Sequence, residues 1–349
     1  MSVPFFSAAA VRAAVPPEVA YAAVREAFVA YARGAWTMQP KLYVPSYPAG
    51  DFRAMPALGG GHALLKWVTS FPGNPARGLP TVSGLVLLSS ADTGLVEAVF
   101  EAGAVTALRT GAAAVLAADV LGRPDAETAA VIGAGVNGRA VAATFLALGR
   151  DVLLWDVEPA RARNAAKELG AAVSSSQAEA LAADLIVTVT PGRTVLLPKD
   201  SLQAGQHVSL MGADGPGKAE IAVEEIARGR VFCDDWGQAS HGGELAAAVG
   251  ARALEEDDVT TLGSVLAGQA AGRRSAEEIT IFDSTGLAIQ VSRLRSRPSS
   301  VLMGSTCRRS TSRPSAEPHT LRRYRSTIPS SSTHASTRST SPSSTSQAP

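Results

Sequence analysis

The stretch Ala130–Ala140, "AVIGAGVNGRA", sets Gly133, Gly135 and Gly138 in the spacing G-x-G-x-x-G. The first glycine allows a tight turn, and the second lets a pyrophosphate approach the backbone. The third lets the following helix pack closely, its N-terminus toward the phosphates. A lone match is weak, but this one follows an apolar strand, opens a helix and is answered by Asp156 at the end of "VLLWD". That is about twenty residues on, where the dinucleotide fingerprint requires an acid. A carboxylate there accepts from a ribose 2′-OH and repels a 2′-phosphate, so NAD(H) is expected over NADP(H). Arg161 and Arg163 stand near enough in sequence to tolerate a phosphate.

Several charges occupy surroundings that do not suit them. Lys66 lies inside "ALLKWVTSF", a run otherwise apolar. It either has a partner, faces a cavity, or snorkels from a sheet edge, because an unpaired buried ammonium is costly. Arg109 and Thr110 in "ALRTGAA" are expected to open a helix of small residues. A guanidinium fork there suits a carboxylate or phosphate, and a hydroxyl near a helix start suits a phosphate oxygen. Asp214 in "MGADGPGKAE" follows the apolar strand "HVSLMG". Strand carboxyl ends line the ligand crevice of a doubly wound sheet, although an aspartate among glycines also shapes turns. His62, His207 and His241 form no ligand cluster, and Cys233 and Cys307 give neither a disulfide framework nor a metal pattern. No metal is expected.

The elements that must position these residues fall into two textures. Residues 121–290 alternate strand and helix: "ETAAVIGAG", "NGRAVAATFLALG", "DVLLWDV", "PARARNAAKELG", "AAVS", "DLIVTVT", "HVSLMGA", "AEIAVEEIARG", "RVFCDD" and "EEITIFDSTG". Such apolar strands suit a parallel sheet covered on both faces, hence a Rossmann-type doubly wound NAD domain. Residues 1–120 give a helix at "PPEVAYAAVREAFVAYARG" and then extended pieces from "KLYVPSYP" to "LVEAVFEAG". This is read as an α+β substrate-binding and dimerisation domain. "VTALRTGAAAVLAADVLG" is the helix leading back to the NAD domain. The fold class is α/β.

Hydrophobic residues make up 46% of the 349, enough for a sizeable core. No apolar run is seen to approach a membrane span, and the N-terminus lacks the basic region of a signal peptide. A cytoplasmic protein with no membrane or nucleic-acid partner is expected. From Val291 the composition changes to Ser, Thr, Arg and Pro, with ten arginines and Glu317 as the one acid. The preceding residues then hold 22 basic against 30 acidic side chains, near −8. Residues 291–349 are expected to be a disordered tail, the product of a shifted reading frame rather than a nucleic-acid-binding arm.

"FRAMPAL", "LKWVTSFPGNPARGLPTV", "VTALRTGAAA", "VIGAGVNGRA", "GADGPGKAE" and "FDSTGLAIQ" occur in this order. Over residues 1–290 the chain thereby resembles the ornithine cyclodeaminase/μ-crystallin family, which includes archaeal-type alanine dehydrogenases. The resemblance implies a homodimer paired through the substrate-domain sheets, with hydride transfer between the substrate Cα and nicotinamide in an interdomain cleft. It gives Lys66 a contact to substrate carboxylate or carbonyl oxygen, with help in proton transfer. Arg109 and Thr110 then lie between substrate carboxylate and cofactor, and Thr81 in "LPTV" touches the cofactor. Asp214 becomes the general acid and base, working through a raised pKa, with Lys218 near the cofactor. Further cofactor contacts are expected at Val136, Asn137, Thr188, Thr190, Met211, Gly212 and Ser284. Family members continue past "GLAIQ" into a helix that the tail does not match.

Arg53, in "FRAMP", takes the place where the family's ornithine cyclodeaminases carry a glutamate for the side-chain amine of ornithine. An arginine there repels an amine and suits a carboxylate. Lys41 in "MQPKLYVP" is a second candidate carboxylate ligand, or plain surface. The expected activity is that of an NAD-dependent amino-acid dehydrogenase or imine reductase on a small 2-amino, 2-oxo or imino acid. Arg109, Arg53 and Lys41 fix the carboxylate, and Asp214 manages, through water, the proton transfers of imine hydrolysis to the 2-oxo acid and ammonia. The alternatives are ornithine cyclodeamination to proline and ammonia with recycled NAD, and a non-catalytic μ-crystallin-like binding protein.

Overall fold

The computed structural model describes residues 2–215 and 217–291. The expectation of a disordered tail therefore concerns residues that, Val291 apart, lie outside the described ones. The chain opens with β1 (Phe5–Phe6), α1 (Ala8–Ala14) and α2 (Pro17–Ala32). It continues through β2 (Trp36–Met38), β3 (Leu42–Ser46), β4 (Gly50–Gly59), β5 (His62–Ser70), β6 (Val82–Ser90) and β7 (Val96–Glu101). These strands form one sheet, ordered β1-β7-β6-β5-β4-β2 with β3 on β4. β4 and β5 alternate buried and less buried residues, as strands with one covered face do. Pairing Arg53 with Val68 and Met55 with Lys66 then sets Asp51, Arg53, Lys66 and their neighbours on the inner face. The outer face leaves Leu42, Val44, Leu58, Trp67 and Leu85 exposed.

α3 (Ala102–Leu121) begins on the Glu101 side chain, which accepts from Gly103 N–H at 2.6 Å and Ala104 N–H at 2.7 Å. This cap starts the helix earlier than the sequence suggests, so Arg109 and Thr110 stand in mid-helix and do not open it. α3 also corrects the expectation that no apolar run approaches a membrane span. It is long and apolar enough by composition, with Arg109 and Asp119 interrupting the run, but it is mostly buried inside the fold.

The second sheet is built from β8 (Ala129–Ile132), α4 (Val136–Ala147), β9 (Leu153–Trp155), α5 (Pro159–Leu169), β10 (Ala172–Val173), α6 (Gln177–Leu181) and β11 (Leu185–Thr188). After these come β12 (His207–Leu210), α7 (Val223–Ile226), β13 (Arg230–Cys233), α8 (Trp236–Gly242) and α9 (Leu245–Gly250). β14 (Val259–Thr261), α10 (Leu262–Leu266) and β15 (Thr280–Asp283) complete it. All eight strands are parallel, in the order β10-β9-β8-β11-β12-β15-β13-β14. Thr188, Leu210, Asp283 and Cys233 end their strands level with one another. The following loops therefore share one rim, where a parallel sheet takes its ligands. The helix expected over "AEIAVEEIARG" shrinks to α7, because Glu220 O accepts from Leu196 and Leu197 N–H and Ile221 bridges to Leu197. α3 packs against β6 of one sheet and β12 of the other, so one apolar core runs through both.

His207, wholly buried on β12, lies between Thr280 Oγ1 at 3.0 Å and Ser209 Oγ at 2.9 Å. These hydroxyls also lie within hydrogen-bond distance of α3 carbonyls, Thr280 Oγ1 of Leu121 O and Ser209 Oγ of Ala114 O, tying the sheet to that helix. Burial, seconded by the charge of Arg273, lowers the imidazole from 6.5 to about 3. The neutral ring thus stabilises the fold above pH 6.5, and that contribution is lost as pH falls toward 3, at about 1.4 kcal/mol per pH unit. The melting temperature should fall as pH drops below 6.5, and His207→Gln should flatten that slope. Parallel losses in both proteins would assign the titration to another group.

Candidate active site

The glycine turn takes the geometry that its spacing predicts. Gly133 has φ of +107°, and a Cβ on Gly138 would collide with the Gly133 carbonyl. A Cβ on Gly135 would meet nothing within 4 Å. Gly135 caps α4 without a side chain, and Val136 behind it is 67% exposed. The helix therefore starts at open surface, an arrangement that fits a dinucleotide pyrophosphate.

Asp156 stands directly behind the glycine turn. Its carboxylate is nearly buried and accepts from Ala134 N–H at 2.8 Å and Glu158 N–H at 2.9 Å, so it braces the glycine turn itself. Arg161 sits 3.6 Å from Asp156 and 2.7 Å from Glu158. Thr188 and Thr190, expected to touch cofactor, donate both hydroxyls to Glu220, at 2.7 and 2.5 Å. Glu220 also takes the N–H groups of Thr190 and Gly212. A fully buried carboxylate demands such donors, and burial raises its pKa against them. Thr81 stands at the edge of the cleft. It precedes β6 with its carbonyl accepting from Phe71 N–H, while its neighbours Ser70 and Val82 line the cleft.

The remaining predicted residues converge. A cleft is lined by Lys41, Arg53, Lys66, Arg109, Thr110, Asn137, Met211, Asp214 and Ser284, with Met55, Val68 and Val82 as an apolar wall. Lys41 precedes β3, Arg53 and Met55 come from β4, Lys66 and Val68 from β5, Val82 from β6, Arg109 and Thr110 from α3, and Asn137, Met211, Asp214 and Ser284 from the rim of the parallel sheet. Thr110 Oγ1 donates to Thr106 O at 2.7 Å, and Ser284 Oγ to Asp234 at 3.0 Å.

Lys66 is 2% exposed. Burial, with the nearby charges of Arg109, Lys41 and Arg53, pushes its pKa well below the usual lysine value. Arg109 reaches Gln290 Oε1 at 3.3 Å, while its buried Nε has no partner among the described residues. Gly286, at φ of +80°, packs so close to this guanidinium that a Cβ would strike it. Lys41 donates to Thr285 O at 2.5 Å, and burial lowers it to about 8 despite the charges of Asp234 and Asp214.

Asp214 overturns the expectation of a raised pKa. Burial acts upward, but Arg53 at 2.5 Å and Lys218 at 2.5 Å outweigh it and hold the carboxyl well below the usual range. Lys218 is thus a partner of Asp214. Two residues of this site escaped the sequence reading. Asp51 accepts from Arg53 Nε at 2.5 Å and Nη2 at 3.2 Å, and its i−2 spacing on an alternating strand was the available signal. Tyr43 stacks 5.3 Å from Arg53 and donates to Asp214 O at 2.9 Å. Lys41, Tyr43 and Arg53 thereby bridge the two sheets across the cleft.

The turn geometry gives a contrast that mutation can read. Gly135→Ala should leave the melting temperature unchanged yet weaken NADH binding in a fluorescence titration, because its methyl enters the phosphate path. Gly138→Ala should lower both. Unaltered NADH affinity in Gly135→Ala would remove the turn from the binding site.

The profile of the ornithine cyclodeaminase/mu-crystallin family matches residues 5–295. An alanine dehydrogenase of Archaeoglobus fulgidus is 43% identical over 278 residues, covering 77% of this chain and 85% of that protein. The iminosuccinate reductase of Paracoccus denitrificans is 32% identical over 227 residues, 63% of this chain and 71% of its own. Among solved structures, an archaeal alanine dehydrogenase dimer with bound NAD matches with a TM-score of 0.79 at 40% identity, covering 84% of this chain and 94% of that one.

Proposed function

Because the chain belongs to the ornithine cyclodeaminase/mu-crystallin family, we propose that it is an alanine-dehydrogenase-like enzyme. It acts as an NAD-dependent amino-acid dehydrogenase and imine reductase on a small 2-amino acid and its oxo or imino counterpart. The observation that carries this reading is the gathering of Lys41, Arg53, Lys66 and Arg109 opposite Asp214, beside the rim of the parallel sheet. Bound NAD(H) supplies the acceptor and donor for the hydride exchanged with Cα. The turn from Gly133 to Gly138 and the start of α4, Asn137 included, would hold its pyrophosphate, and Met211 and Ser284 line the cleft beyond it.

The four cations fix the substrate carboxylate. Orientation of this kind lowers barriers by up to about 7–11 kcal/mol in favourable cases. Met55, Val68 and Val82 leave a small apolar niche for the side chain, and a side-chain amine such as that of ornithine would meet Arg53 cation to cation. Asp214 holds and returns the proton exchanged at the substrate nitrogen or at water. Contiguous apolar surface such as the outer face of the β4–β5–β6 sheet calls for a partner, which supports pairing of two copies through that face.

Alanine with NAD should give net NADH, and Asp214→Asn should cut turnover by about 10²–10⁴-fold while leaving NADH affinity intact. Proline and ammonia from ornithine without net NADH would make the protein a cyclodeaminase. Tight ligand binding with no turnover would make it a binding protein. Lys41 adds a pH signature, since only its charged form attracts an anion. Affinity of the NADH complex for oxamate should weaken as pH rises through about 8, and Lys41→Met should remove the break. A flat profile across that range in the wild type would take Lys41 out of the anion site.

A further inference from the structure

Arg53 is claimed by two carboxylates at once. Nε and Nη2 form a fork on Asp51, at 2.5 and 3.2 Å, while Nη1 reaches Asp214 at 2.5 Å. The two acids differ in their freedom. Asp51 lies on the same strand two residues back, with a side chain only 10% exposed, and its other oxygen completes the fork. Asp214 sits on a loop of the opposite sheet, 35% exposed to the cleft, and its second oxygen keeps Lys218 at 2.5 Å. The Tyr43 ring lies against the guanidinium, limiting how its plane can tilt. Nη1 is therefore the one end of the arginine whose partner can leave with its charge still compensated.

We propose that Asp51 is a positioning residue, the pivot of an arginine with two working positions. In the free site Arg53 keeps Nη1 on Asp214. When substrate enters, Arg53 passes Nη1 to the substrate carboxylate while remaining forked on Asp51. The exchange swaps one carboxylate for another on the same donor, so the arginine loses no hydrogen bond. Lys66 and Arg109, which form no ion pair among the described residues, tip the exchange toward the incoming anion. Release leaves Asp214 with Lys218 alone and turns an oxygen toward the reacting end of the substrate. Asp51 has a second effect. By sharing the guanidinium charge it loosens the hold of Arg53 on Asp214, which would otherwise close the cleft to carboxylates.

This inference rests on the amino-acid dehydrogenase reading, and its test separates the two. A crystal structure of the NADH complex with oxamate, an unreactive 2-oxo acid analogue, should show Nη1 on the oxamate carboxylate, the Asp51 fork intact and Asp214 out of reach of Arg53. An intact Arg53–Asp214 contact, with oxamate resting on Lys66 and Arg109, overturns the pivot even if the enzyme turns over alanine. In steady-state assays with the 2-oxo acid and ammonia, Asp51→Asn should raise the KM for the oxo acid about tenfold, the scale of one charge-assisted hydrogen bond. The KM for NADH should stay unchanged, and Asp51→Glu should recover part of the loss. A fall in kcat alone, with both KM values unmoved, would make Asp51 merely structural and end the proposal. If no amino or oxo acid is turned over yet oxamate still draws Arg53 from Asp214, the dehydrogenase reading fails and the pivot stands.

Discussion

Burying cations without anions of their own is the constraint from which the rest of this structure follows. Lys66 and Arg109 enter the interior on β5 and α3, where desolvation disfavours their charged forms, and neither forms an ion pair among the described residues. Replacing them with apolar side chains would make a more comfortable core, since a buried charge lacking its partner is strongly destabilising. The fold retains them at that cost. An anion entering the cleft supplies what they lack, so binding relieves a penalty already built into the empty protein. Arg53 is the counterexample that clarifies the rule. It is compensated twice over, and is therefore the cation able to change partners.

Holding such groups in place requires rigid elements on both sides. The antiparallel sheet offers Arg53 and Lys66 from neighbouring strands, where period-two alternation fixes which face each side chain takes. The parallel sheet offers only its rim, and the rim loops are disciplined by buried acids. Glu220 gathers Thr188, Thr190 and Gly212, joining the loops after β11 and β12. Asp234 gathers Ser284, Thr285 and Gly286 in the loop after β15. Lys41 then binds the carbonyl of Thr285 from the other sheet.

What could be read from the sequence was what clashed with its surroundings. Lys66 in an apolar strand, Arg109 in a helix of small residues and glycines at dinucleotide spacing all advertised themselves by misfit, and each lies at the site. The strands were legible from their apolar runs, as was the parallel sheet they imply. Hidden were the partners. Thr188, Thr190 and Asp156 stand at or just past strand ends, and their side-chain oxygens serve Glu220 and the glycine turn. Nothing in the local sequence tells a hydroxyl committed to a carboxylate 30 residues away from one left for a ligand. The placement of β15 between β12 and β13 is equally silent, being decided by packing across the whole sheet. The pKa of Asp214 depends on Arg53, 161 residues away in sequence, and so could only be guessed.

The acids behind the rim follow a different logic from those in the cleft. Asp283 and Glu244 are buried side by side, and each keeps one oxygen without a partner among the described residues. Burial, with the charges of neighbouring acids, raises Asp283 well above its usual value and Glu244 to about 8. Burial thus favours the protonated form of each, while Glu220 nearby takes four hydrogen-bond donors. A neutral pair there keeps negative potential from building up directly behind Asp234 and the loop it organises. Were those carboxyls ionised, their field would reach Lys41 through that loop and hold its proton more tightly.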